Sequence, residues 1–151
     1  MTVETEGDDI LLVEAPFGSD AYQAALRLRE AVLRQPLGLT MSEEELADDA
    51  YRRHFCALAG GEVVGSVSFK ALGPHTLQLK QMVVAEGRRH ESIGARLLEF
   101  AEGWARREGY GLILLNARIG AEGFYARNGY ALEGGIFEEN TLPHVRMTKR
   151  V

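Results

Sequence analysis

The chain has 151 residues, enough for a single domain that buries a continuous core without disulfides or metal to hold it. Its 22 acidic and 17 basic side chains give a formal net charge of −5, which argues against nucleic-acid backbones and anionic membranes as partners and mildly favours a small cationic or amine-bearing one. The single cysteine, Cys56, can make no intrachain disulfide and sits in the apolar run 55–59, as a buried thiol in a reduced compartment would. The first nine residues lack the basic start and apolar stretch of an export signal, and no run reaches membrane-spanning length, so a cytoplasmic location is expected.

Taken in chain order, residues 10–13 form a short apolar run before Pro16 and predict a first strand. Ala21, Ala25, Leu28 and Val32 recur at helical spacing and predict an amphipathic helix over 21–33. Ser42 with Glu45 is a capping-box pattern that opens a second, short helix running to about Tyr51. Residues 55–59, the Gly60-Gly61 turn and residues 63–69 predict a hairpin. A fourth strand follows over 77–84 and a strongly amphipathic helix over 93–108, with Glu102 and Arg106 four apart on its outer face and Gly109 at its end. A fifth strand over 112–115 completes a strand, helix, strand crossover, which is normally right-handed and parallel. A short helix near 121–127 and strands over 130–137 and 145–149 close the chain.

The informative segment runs from Val84 to Ala95, a loop with two arginines and two glycines between a buried strand and a helix. A helix N-terminus exposes unpaired N–H groups and partial positive charge, which suits a pyrophosphate, and Gly94 would let it approach the backbone. A plain strand-to-helix turn accounts for the same residues equally well. His90-Glu91 is not a zinc-protease helix, because position 94 is Gly94 where a second histidine would be needed, and no Walker loop or Gly-x-Ser-x-Gly elbow occurs. The run of arginines does not make a nucleic-acid platform in an acidic chain.

Arg89-His90-Glu91-Ser92-Ile93-Gly94 resembles the signature of the GCN5-related N-acetyltransferase (GNAT) family: Gln or Arg, two free positions, Gly, one free position, then Gly or Ala. Ser92 stands where that family usually has glycine. A second segment, 121–130, with Phe124-Tyr125 followed by Gly129-Tyr130, resembles the family's alanine, Phe-Tyr, Gly-aromatic run. Arg118 takes the place, seven before Tyr125, where the family often has asparagine.

The resemblance implies one mixed α/β domain over 1–151, with a mostly antiparallel sheet, fourth and fifth strands parallel and splayed, and helices on both faces. It implies acetyl-CoA as cosubstrate, no metal, and an amine of a small molecule or protein as acceptor. Met82, Val83 and Val84 would meet the pantetheine arm and Arg89, His90, Glu91, Ser92, Ile93, Gly94 and Ala95 the pyrophosphate, with Arg118 as a further contact. A strand N–H would face the thioester carbonyl, and Tyr125 would be the general acid. An acceptor pocket is expected from the first helix and last two strands, with Arg29, Leu37, Glu138 and His144 in its wall. His144, Glu138 and Glu139 are candidate bases, and His54 and His75 read as surface residues. Core packing is the better account of Cys56. The alternative from another class is a non-catalytic acyl-CoA-binding sensor or interaction module. A homodimer stays open.

Overall fold

The computed structural model describes residues 3–5, 10–88 and 92–151. The predicted elements are present, with shifted ends. β1 (Val3–Thr5) pairs antiparallel with β2 (Ile10–Glu14). It was not expected, because three half-polar residues carry no periodicity of their own and are specified by the partner strand.

α1 (Asp20–Arg29) is capped by Ser19, whose side chain accepts from the Tyr22 N–H. The predicted 21–33 helix is shorter than its pattern: after Arg29 the chain widens into one π turn (Glu30–Arg34) and tightens into a 3-10 turn (Gln35–Leu37). Pro36 has no N–H to continue the ladder, although Gln35 before it keeps helical angles (φ −57°, ψ −41°). α2 (Glu43–Asp48) starts at Ser42, which accepts from the Glu45 N–H at 3.1 Å as the capping pattern predicts, and a 3-10 turn (Asp49–Tyr51) follows.

β3 (Arg52–Ala59) and β4 (Glu62–Ala71) form the expected hairpin, with Gly60 and Gly61 at φ +58° and +82° in the turn. Then come β5 (Thr76–Val84), α3 (Ile93–Arg107), β6 (Leu112–Arg118), α4 (Glu122–Arg127), β7 (Ala131–Glu139) and β8 (Leu142–Arg150). The sheet order is β1-β2-β3-β4-β5-β6-β8-β7, and every pairing is antiparallel except β5 with β6. These two are the fourth and fifth predicted strands, joined by α3 as the crossover rule requires.

Two cores lie on opposite faces. Ile93, Leu97, Leu98 and Ala101 of α3 pack with Phe55, Phe69, Leu77 and Ile113. On the other face Ala25 of α1 packs with Val13, Cys56 and Val63. Two expectations are corrected. His54 is buried and not on the surface, because its Nε2–H donates to the Asp49 carbonyl at 2.9 Å. Glu102 is also buried, where it accepts from the Tyr130 hydroxyl and Lys149, each at 2.8 Å. Its partner four residues on, Arg106, is more distant at 3.8 Å.

Candidate active site

Parallel pairing of β5 with β6 covers only Thr76 to Gln78 against Leu112 to Leu114, and beyond those residues the two strands part. A bulge in β5 contributes to this. Ser66 opposes Val83 and Ser68 opposes Lys80, so β5 carries one extra residue, and Gln81 within it has φ +56°. Val83 pairs toward β4 and the Ala85 N–H donates to Val64, so ladder alternation turns the backbone groups of Met82 and Val84 toward β6. On β6, pairing with β8 runs through the odd residues, with the Ile119 N–H donating to Pro143. The backbone groups of Asn116 and Arg118 therefore turn toward β5. A cleft of about 570 Å³ opens between the two strands and is lined by Lys80, Gln81, Met82, Asn116, Arg118, Tyr125 and His144 among others.

Tyr125, on α4, is 8 % exposed and belongs to the α3-side core with Leu115, Ala117, Val145 and Met147. Phe124 and Tyr130 meet its ring edge to face at 5.1 and 5.8 Å. The phenol makes no hydrogen bond to a described residue, and burial pushes its pKa above the usual tyrosine value, which keeps it protonated. Strand alternation places Lys80, Asn116 and His144 on the opposite, α1-side face. The cleft thus has the Tyr125 phenol on one side of the sheet and polar groups on the other.

On the α1 side the His144 ring Nδ1 lies 2.8 Å from the Leu142 carbonyl. A carbonyl only accepts, so Nδ1 carries the hydrogen, and in the neutral ring Nε2 holds the lone pair. Nε2 is 3.6 Å from Glu139 Oε2, and the other Glu139 oxygen accepts from Asn116 Nδ2 at 3.1 Å. Glu138, the other acidic candidate, is exposed on the edge strand and does not line the cleft.

Among the cofactor candidates, Met82 and Arg118 line the cleft, Arg118 with an exposed side chain. Val83 is buried with its backbone turned away, and Val84 is half-buried at the end of β5. Ser92 sits at the N-cap of α3 with φ +58°, the left-handed conformation glycine adopts most readily. Ile93 points into the core and Ala95 is half-buried in the first turn. Gly94 faces protein: a Cβ there would lie 3.1 Å from two ring carbons of Phe124. Arg89, His90 and Glu91 lie outside the described residues.

Arg29 does not offer its charge to an acceptor, contrary to expectation. It is 2 % exposed and pairs with Asp49 at 2.8 Å, while Asp49 also accepts from the Tyr22 hydroxyl at 2.5 Å. Arg29 and Arg52 both donate to Gln81 Oε1, Arg52 at 2.8 Å, and Gln81 Nε2 donates to Glu45 at 2.5 Å. This network grips the bulged residue of β5. Sequence reasoning passed over Lys80, Gln81 and Asp49; the one available signal was the polar pair Lys80-Gln81 inside a strand that is otherwise apolar near its end. Cys56 is fully buried, and burial pushes its thiol up to about 12, so it is not an acyl-carrying nucleophile.

A Bacillus subtilis (strain 168) protein that carries a provisional acetyltransferase name is 26% identical over 129 residues, covering 83% of this chain and 87% of its own. A Lactobacillus plantarum structure with a provisional N-acetyltransferase name superposes with TM-score 0.83 at 22% identity, covering 93% of this chain and 97% of its own. A GNAT family acetyltransferase from Elizabethkingia anophelis with acetyl-CoA bound gives TM-score 0.72 at 18% identity, over 95% of this chain and 99% of its own. The model of the acetyltransferase (GNAT) family matches residues 20–130, and the chain belongs to that family.

Proposed function

We propose that the protein transfers an acetyl group from acetyl-CoA to the nitrogen of an amine by direct attack. The observation that carries this reading is the parting of β5 and β6 around a cleft that has the Tyr125 phenol on one face and the His144 ring on the other. Acetyl-CoA supplies an activated thioester. The edge of β5 at Met82 and Val84 pairs with its pantetheine arm as an added strand would, and Arg118 borders the same path. Residues 89–95, with Arg89, His90 and Glu91 leading into Ser92, Ile93, Gly94 and Ala95, receive the pyrophosphate at the start of α3.

The Met82 N–H, turned into the cleft by the bulge, donates to the thioester oxygen as it gains negative charge. His144 Nε2 accepts the proton that the amine loses when its nitrogen bonds to the acetyl carbon, and Glu139 stabilises the imidazolium. Tyr125 gives its proton to the sulfur as the C–S bond breaks. Exchange with solvent restores both side chains. No covalent intermediate on the protein is required.

The test is free-thiol release from acetyl-CoA over a panel of amines, with the product identified by mass. Acceptor-dependent release with N-acetyl product is expected. Coenzyme A binding without release for any amine would favour a non-catalytic acyl-CoA-binding module.

A further inference from the structure

The charged side chains of the acceptor side are mostly paired off against one another. Four cations, Arg29, Arg52, Lys70 and Lys80, gather on this face with two carboxylates, Asp48 and Asp49. Both carboxylates are taken. Asp49 holds Arg29 at 2.8 Å and Arg52 at 3.4 Å, and Asp48 holds Arg52 at 2.8 Å and Lys70 at 3.0 Å.

Lys80 is left over. Its ammonium makes no hydrogen bond or ion pair with a described residue, yet it is half-buried and lines the cleft. Burial, then the nearby charges of Arg52 and Lys70, hold it below the usual lysine value. Asp48 and Glu139 act on it only from a distance, and Glu139 is engaged by Asn116 beside His144. Glu45 is bound by Arg34 at 2.6 Å and by Gln81. The other cleft charges without an opposite partner, Glu44 and Arg118, are exposed, where solvent screens them.

We propose that Lys80 binds a carboxylate of the acceptor, so that the acceptor is a small amine of the amino-acid class, seated with its anionic end on Lys80 and its nitrogen toward His144. The inference rests on the acyl-transfer reading above and narrows it. An incoming carboxylate supplies the charge-assisted hydrogen bonds that the half-buried ammonium lacks. A polycation would instead meet the unpaired Lys80 ammonium as a like charge.

The test measures thiol release at saturating acetyl-CoA with the common L-amino acids, their C-terminal amides and spermidine, for the wild type, Lys80→Met and Lys80→Arg. The accepted amino acids should exceed their amides by about tenfold or more in kcat/KM. Lys80→Met should abolish that preference, mainly through KM, with coenzyme A affinity unchanged. Lys80→Arg should retain it, which separates charge recognition from a role of the lysine as base. Amides or spermidine used as well as amino acids, or a preference that survives Lys80→Met, would overturn the inference while leaving acyl transfer intact. If no amine is turned over, calorimetry of the same pairs on the coenzyme A complex decides. A carboxylate preference lost in Lys80→Met upholds the inference and sinks the transfer reading, and equal binding of acids and amides overturns the inference.

Discussion

The Cα of Gly94 lies against the ring of Phe124, so close that a Cβ would sit 3.1 Å from both Cε1 and Cζ. The missing Cβ of Gly94 therefore admits the Phe124 ring of α4, the neighbour of Tyr125, against α3. Gly94→Val should push α4 outward, lowering stability by about 1–3 kcal/mol, the usual cost of overpacking. Urea unfolding checks this, and an unchanged midpoint would mean that the ring yields without cost.

Two residues before it, Ser92 holds a left-handed conformation at φ +58° without a side-chain capping bond. The strain of that conformation in a residue with a Cβ is about 1 kcal/mol. Ser92→Gly should relieve it and raise the unfolding midpoint, whereas Ser92→Val should lower it. The order Gly, Ser, Val in denaturant midpoint is the expected result.

Tyr125→Phe removes a hydroxyl that bonds to no described residue and keeps a ring that packs on two others. Stability and coenzyme A affinity should stay unchanged while kcat falls by roughly 10²–10⁴, the contribution of a positioned acid. Steady-state kinetics with chemistry rate-limiting measure it. Near-full turnover would assign the proton to water.

Gln81 is held by Arg29, Arg52 and Glu45 while its backbone makes the bulge that turns Met82 inward. Gln81→Ala strands buried guanidinium donors beside an Arg29 Nε that already has no partner, at a cost of about 1–3 kcal/mol. It should also lower kcat more than coenzyme A affinity. Gln81→Gly, which tolerates φ +56°, should recover part of the stability. Equal stability of the two variants would mean that backbone strain plays no part.

Alkaline pH should unfold the protein early. Burial pushes the Cys56 thiol up to about 12 and raises the phenols of Tyr22, Tyr125 and Tyr130, with Asp49 adding to the first and Glu102 to the last. The unfolded chain gives up these protons at ordinary values, thiol first, while the folded chain keeps them. The stabilisation is thus complete below about pH 8.5 and is lost as pH rises toward the folded values. Urea midpoints should decline steadily above that pH, with a later onset in Cys56→Ala. A flat profile to about pH 11 would contradict the burial argument.

Much of this arrangement is legible in the sequence because it is local. The hairpin turn at Gly60-Gly61, the Ser42 cap and the apolar stripe of α3 each depend on residues a few positions apart. The Phe124-Tyr125 pair could be placed near the cleft through its resemblance to a family pattern. What could not be read depends on partners distant in sequence. Arg29, at a helical surface spacing, is buried against Asp49 of a later turn and Gln81 of β5, 20 and 52 residues on. The partner of His54 is nearer, the Asp49 carbonyl five residues back, but no periodicity in the sequence marks that contact. The hydrogen-bond partner that fixes the His144 tautomer, Leu142, is close in sequence, but the facing Glu139 is set by the β7–β8 register.

The central claim is direct transfer from acetyl-CoA to an amine, and rapid quench with acetyl-labelled acetyl-CoA tests it most directly. Label should move to the amine in a single step, with none on the protein at any time point or when acceptor is withheld. Label that accumulates on the protein before acceptor is added, and then passes to the amine, would contradict the account.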